Sequence, residues 1–363
     1  MAQSNREGAT IGGKYRIRRL VASGAMADVF EATHVEIGKR VALKLMNGRT
    51  AASAECVSRF RREARAASAI ESEYTVEVFD AGTDPEHGLY IATEFLVGED
   101  LETHIARVGL VEEERAAAIA YQVARGLAKI HANGVIHRDL KPGNVFLTAR
   151  DDGTLLTKVL DFGISIMRES AQEGASCNPD DTTLTEVGKT LGTPQYMSPE
   201  QIEALPDIDG RADVWSLAAL LFEMLVGVPP YAGAKSALDV MLRILREDAP
   251  SLHTVAPLLR PALCALVDRG LARDRRRRPQ AGEFASALLD AFPDLGPGSS
   301  GCFLSPCAVA AMPAAAGRGT PEDGALDVAP TVPSCPIPSE CFDEEDPVEI
   351  FQRGSSCIVR VQR

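Results

Sequence analysis

The stretch that most constrains this 363-residue chain is His137-Arg138-Asp139-Leu140-Lys141-Pro142-Gly143-Asn144, followed by Asp161-Phe162-Gly163. A run of charged and polar groups that ends in Asn and is trailed by an isolated Asp-Phe-Gly has a specific chemical use. Asp139 can accept a proton from an attacking hydroxyl. Lys141 can neutralise charge on a phosphoryl group in flight. Asn144 and Asp161 carry the hard oxygen ligands that hold Mg²⁺.

The rest of the chain has to place those groups together. Tyr15-Arg16-Ile17-Arg18-Arg19-Leu20 and Val41-Ala42-Leu43-Lys44-Leu45 alternate in polarity, which predicts half-buried strands. Ala54 to Ile70 is rich in Ala, Arg and Glu without Gly or Pro, a predicted helix. Strand-like runs follow around Val76 to Asp80 and Leu89 to Phe95. From Leu101 onward helical patterns dominate: Glu112 to Asn133, stopped by Asn133-Gly134, then Val214 to Val226, Ser236 to Arg246, Pro261 to Ala272 and Gly282 to Phe292. The expected fold class is α+β, a small β-rich lobe with one helix joined to a larger helical lobe. The expected boundaries are an N-terminal extension over 1–14, the small lobe over 15–95, the large lobe over 96–292 and a tail over 293–363.

The tail is set apart by composition. It opens on Gly296-Pro297-Gly298-Ser299-Ser300-Gly301 and stays rich in Pro, Ala and Ser. Ten acidic residues against four arginines leave it at net −6, nearly half of the −13 carried by the whole chain, a balance that favours disorder. Val348–Phe351 and Ile358–Val361 leave two readings open, a small hairpin across Gly354 or a frayed end.

Net charge −13 argues against a nucleic-acid or membrane-surface binder. Met1 to Glu7 is polar and leads into no apolar signal-peptide core, and no run approaches the roughly 20 apolar residues of a membrane span. These features predict a cytoplasmic protein. Five of the eight cysteines fall after position 300, with no C-x-x-C pair and no histidine beyond His253, so they read as free thiols rather than a zinc site. Gly8 to Lys14 fits G-x-x-x-x-G-K, but Tyr15 stands where a metal-binding Ser or Thr belongs and no strand precedes it.

The motifs quoted above, in that order and spacing, resemble eukaryotic-type protein kinases over about residues 15 to 292. Gly192-Thr193-Pro194-Gln195-Tyr196-Met197-Ser198-Pro199-Glu200-Gln201 is similar in style to the bacterial serine/threonine kinases. The resemblance implies transfer of the ATP γ-phosphoryl group to protein Ser or Thr with Mg²⁺. Asp139, Lys141, Lys44 and Glu63 would be the catalytic group, with Lys44 on the nucleotide phosphates and paired to Glu63 rather than Glu55. Asn144 and Asp161 would hold the metal. Val21, Gly24, Val29, Ala42, Lys44, Thr93, Glu94, Leu96 and Leu147 would form the nucleotide pocket, with Thr93 as its gatekeeper and the backbone of Glu94 and Leu96 facing adenine.

Further roles follow from the same resemblance. In Ala22-Ser23-Gly24-Ala25-Met26-Ala27-Asp28-Val29, alanines stand where the phosphate-covering loop has its outer glycines. Thr182, Thr183, Thr185 and Thr190 are the expected phosphorylation sites, with Arg138 pairing to an added phosphate. Thr193 would position the substrate. Asp213 is expected to brace the catalytic-loop backbone, and Arg278 to pair with Glu200. Expected partners are Ser/Thr-bearing protein substrates and a transient second copy for trans-autophosphorylation, with no nucleic acid and no membrane. The alternative is a pseudokinase or scaffold. The lost glycines favour it; intact Lys44, Asp139, Asn144 and Asp161 oppose it.

Overall fold

A computed structural model describes residues 6–24, 27–46, 54–161 and 194–295, with the backbone of 348–353 and 356–361; the side chains of 54–56, Arg59 and Glu63 are outside the described set. The N-terminal part is a six-stranded antiparallel sheet, ordered β1-β2-β3-β4-β6-β5. Its strands are β1 (Thr10–Ile11), β2 (Tyr15–Ser23), β3 (Ala27–His34), β4 (Arg40–Met46), β5 (Val78–Asp84) and β6 (Gly88–Glu94). The sheet begins at Thr10 rather than at Tyr15, and Ile11 is wholly buried in it. Two residues are too short a run to show an alternation, so β1 left no periodic trace in the sequence.

Strand β4 shows how the pattern becomes a site. Val41, Leu43 and Leu45 are buried together with Ile17, Phe30 and Tyr90. With a period of two, Ala42 and Lys44 then face the opposite side, where both are half-buried. Helix α1 (Ala54–Ser68) packs through Phe60 and Val57 on Leu89, Ile91 and Val78.

The larger part holds helices α2 (Leu101–Val108), α3 (Glu113–Ala132), α4 (Pro199–Ile202), α5 (Arg211–Val226), α6 (Ala237–Arg246), α7 (Leu252–Val255), α8 (Pro261–Gly270) and α9 (Ala281–Ala291). Buried faces of α3, α5, α8 and α9 share one core that includes Trp215, Phe222 and Phe284. Helix α2 is started by Asp100, whose carboxylate takes the Thr103 N–H at 2.7 Å, and α5 is ended by Gly227 in the left-handed region at φ +83°.

One correction to the helical expectation lies here. A three-stranded sheet of β7 (Gly98–Asp100), β8 (Val145–Ala149) and β9 (Leu155–Val159) sits in this part. Its signal was present, since two apolar runs flank Asp151-Asp152-Gly153, a hairpin turn by composition. Gly98 is required at the β7–β8 contact: its φ is +155°, and a Cβ there would stand 2.0 Å from the Leu147 carbonyl oxygen.

Residues 313–363 form a separate unit. Its described strands, β10 (Val348–Arg353) and β11 (Ser356–Val361), pair antiparallel with Phe351 opposite Ile358, the hairpin alternative of the two readings.

Candidate active site

Asp213, at the start of α5, is fully buried and carries the floor of the site. Its Oδ2 accepts the His137 N–H at 2.8 Å and a bond from His131 Nε2 at 2.7 Å, while Oδ1 accepts the Arg138 N–H at 2.8 Å. Burial pushes this carboxyl up, but His131, the His137 amide and the His137 ring outweigh it and hold Asp213 below the usual carboxylate range. Arg138 is thereby kept at φ +63°, a conformation that costs a non-glycine residue of order 1 kcal/mol, and Gln201 Nε2 ties its carbonyl at 2.7 Å. Asp213 was expected here from sequence; His131 was not, since nothing in its helix pattern sets it apart.

Above that floor His137 is fully buried and bonded at both ring nitrogens. Nδ1 accepts the Asp139 N–H at 3.2 Å, so the proton sits on Nε2, which donates to the Leu160 carbonyl at 2.8 Å. The ring thus joins the catalytic loop to the residue before Asp161. Asn144 makes a second join: its side-chain N–H₂ donates to the Asp139 backbone carbonyl at 2.7 Å, and its backbone carbonyl accepts the Leu160 N–H at 2.9 Å. Lys141 Nζ and Asn144 Nδ2 both reach Asp139 Oδ2, at 3.0 and 3.3 Å. Asp139, Lys141, Asn144 and Asp161 therefore gather around one point.

Asp161 is at φ +56°, the second strained residue of the site, and its carboxylate takes Lys44 Nζ at 2.7 Å. The desolvation that would raise this carboxyl is overcome by the Lys44 ammonium, then by His137 and Lys141, so it lies below the ordinary carboxylate range. The expected partner of Lys44 was Glu63. Glu63 is on α1, but its side chain is outside the described residues, so the contact seen for Lys44 is the one to Asp161.

The other expected pocket residues fall on the strands around Lys44. Val29 is the register partner of Lys44, and Ala42 that of Thr93. Val21 ends in the exposed part of β2, and the Gly24 N–H donates to the Ala27 carbonyl at 3.0 Å across the loop tip. Thr93 is half-buried, with its hydroxyl 3.3 Å from the Glu94 carbonyl, Leu96 is half-buried, and Leu147 on β8 is buried. Thr182, Thr183, Thr185, Thr190 and Thr193 are outside the described residues, as are Phe162 and Gly163. Glu200 and Arg278 meet as expected, through two bonds of 2.6 and 2.9 Å.

Comparison with known proteins agrees with this geometry. The protein kinase domain family matches residues 15–288. The chain belongs to the protein kinase family. Within it, the kinase is 35% identical over 286 residues to serine/threonine-protein kinase pkn3 of Myxococcus xanthus, covering 78% of this chain and 51% of that protein. It is 36% identical over 274 residues to PknE of Mycobacterium bovis, covering 76% and 45%. The kinase thus spans about half the length of these relatives. The crystal structure of the Mycobacterium tuberculosis PknI kinase domain superposes with a TM-score of 0.60 at 28% identity, covering 78% of this chain and 98% of that domain. These likenesses put the chain among the bacterial eukaryotic-type serine/threonine kinases.

Proposed function

We propose that this kinase transfers the γ-phosphoryl group of ATP to Ser or Thr hydroxyls of proteins. The observation that carries the reading is the convergence of Asp139, Lys141, Asn144 and Asp161, with Lys44 bridging from the sheet. An amide oxygen on Asn144 and an ionised carboxylate on Asp161 are hard donors, the set that suits Mg²⁺. Bound Mg-ATP supplies the phosphoryl group and the divalent charge that offsets its anionic oxygens.

Within that frame Asp139 orients the attacking hydroxyl and accepts its proton. Lys141, 3.0 Å from Asp139, offsets charge on the phosphoryl oxygens. Lys44 leaves Asp161 for the nucleotide phosphates and pairs with Glu63, which frees the Asp161 carboxylate for the metal. The backbone of Glu94 and Leu96 holds adenine between Val21, Val29, Ala42 and Leu147, with Thr93 at the back and Gly24 over the phosphates. Thr193 positions the substrate hydroxyl.

Regulation follows the same chemistry. Addition of phosphate to Thr182, Thr183, Thr185 or Thr190 by a transiently associated second copy would give Arg138 an anionic partner. Among the described residues no helix is long and apolar enough to cross a membrane. The pseudokinase reading rests on the alanines at 22 and 27.

The test is incubation with γ-labelled ATP, Mg²⁺ and a mixed protein substrate, followed by phosphoamino-acid analysis. Label on Ser or Thr, absent in Asp139→Asn, is the expected result. Nucleotide binding without transfer would replace this reading with the scaffold.

A further inference from the structure

Lys158 is 9% exposed, an unusual place for a lysine. It sits on β9, three positions before Asp161. Its Nζ bonds Glu94 Oε1 at 2.6 Å and lies 3.4 Å from the Thr75 carbonyl oxygen. The same Glu94 oxygen accepts the Glu77 N–H at 2.8 Å, while the Glu94 N–H donates to the Glu77 carbonyl at 3.0 Å. Glu94 ends the last strand before the connection between the two parts of the molecule, and Lys158 belongs to the small sheet of the larger part. Their bond therefore spans the two.

Residues 74–77 complete the link. On one side they pair with β9: the Val159 N–H donates to the Tyr74 carbonyl at 2.9 Å and the Val76 N–H to the Val159 carbonyl at 3.0 Å. On the other side they hold Glu94. Strand β9 then runs into Leu160, bonded to His137 and Asn144, and into Asp161. A continuous set of bonds joins the Glu94 backbone to the metal-binding end of the site.

We propose that Lys158 is a positioning residue for nucleotide recognition: through the Glu94 carboxylate it fixes where the backbone of 94–96 presents its hydrogen bonds to a purine, relative to Asp161. The proposal rests on the nucleotide reading above. A hydrogen-bond pattern held in place discriminates bases, because the wrong base leaves buried groups unpaired; a backbone that shifts accommodates both. Breaking the ion pair by removing its cation leaves Glu94 without the charge that compensates its burial, so the carboxylate turns toward water and the backbone follows.

The experiment measures equilibrium binding of Mg-ATP and Mg-GTP by calorimetry to the full chain, to Lys158→Met, to Lys158→Arg and to Glu94→Gln, with melting temperatures alongside. Lys158→Met is expected to bind ATP about tenfold more weakly, about 1.4 kcal/mol, and to lose most of its preference over GTP. Lys158→Arg retains both, and Glu94→Gln, which keeps an acceptor for the Glu77 N–H, falls between. If Lys158→Met and Glu94→Gln fold and keep wild-type ATP affinity and preference, whatever their melting temperatures, the proposal is overturned while the nucleotide reading stands. If the wild-type chain binds neither nucleotide, both are overturned together.

Discussion

Asp213 and Asp161 stand at the two ends of the catalytic segment, and both are held ionised by their neighbours, yet in opposite ways. Asp213 is sealed in and spends its two oxygens on the amides of His137 and Arg138 and on His131. Asp161 keeps 39% of its side chain exposed in the cleft and is held by one ammonium on a flexible stem. The first set of partners cannot change without reshaping the loop. The second can be exchanged, and in the function proposed above Lys44 moves to phosphate while a metal ion takes its place. In this site architecture and chemistry use the same functional group and differ in how replaceable its partner is.

The largest effect should come from the exchangeable member. Asp161→Asn is expected to lower phosphotransfer at least about 10³-fold while costing stability under about 1 kcal/mol, because a part-exposed pair contributes little. Steady-state kinetics and a urea melt on the same preparation check both halves. Asp213→Asn should reverse the balance. It puts an N–H₂ donor where two backbone donors and a histidine converge, at a cost of about 3 kcal/mol, with activity falling as the loop loosens. A stable but inactive Asp213→Asn would break the comparison.

Asp84, far from the cleft, extends it to a third carboxylate. Burial would raise this group, but the amides of Gly12, Glu86 and His87 and the His87 ring bring it down to about 2. A depressed carboxyl stabilises the fold above the unfolded value, about 3.8, and the contribution is lost as pH falls through about 2. Asp84→Asn should therefore cost about 2 kcal/mol at pH 7, with a shallower loss of stability than wild type between pH 4 and pH 2, read by urea unfolding. Glu223 should show the smallest effect, with the opposite sign. Burial raises its carboxyl despite the bond from Tyr196 at 2.6 Å, and Glu102 raises it further. A raised carboxyl costs stability once ionised, so Glu223→Gln should stabilise by up to about 1 kcal/mol at pH 7 and by nothing near pH 4.

How much of this was legible in the sequence depended on whether a contact is encoded by spacing. Asp139, Lys141 and Asn144 were readable because they fall within one short run, and Asp161 because it heads the separate Asp-Phe-Gly. Asp213 with the catalytic loop, and Glu200 with Arg278, were readable only through family resemblance, since each pair is separated by more than seventy positions. The β8–β9 hairpin has its turn and its apolar runs in the sequence, but strands of five residues each are outweighed by the longer helical patterns around them. Lys158 carried no signal at all: one lysine in Leu155-Leu156-Thr157-Lys158-Val159 reads as a solvated strand residue until the fold brings Glu94 to it. Non-local pairing of single charges leaves no periodic trace, and that is where the structure adds most.

The most direct test of the account is intact-mass spectrometry of the purified chain before and after incubation with Mg-ATP, beside Asp161→Asn. Mass gains in whole phosphate units, absent from the variant and mapping to Thr182 through Thr190, are the predicted result. An unchanged mass in a folded protein that binds Mg-ATP would contradict the claim that this site transfers phosphate.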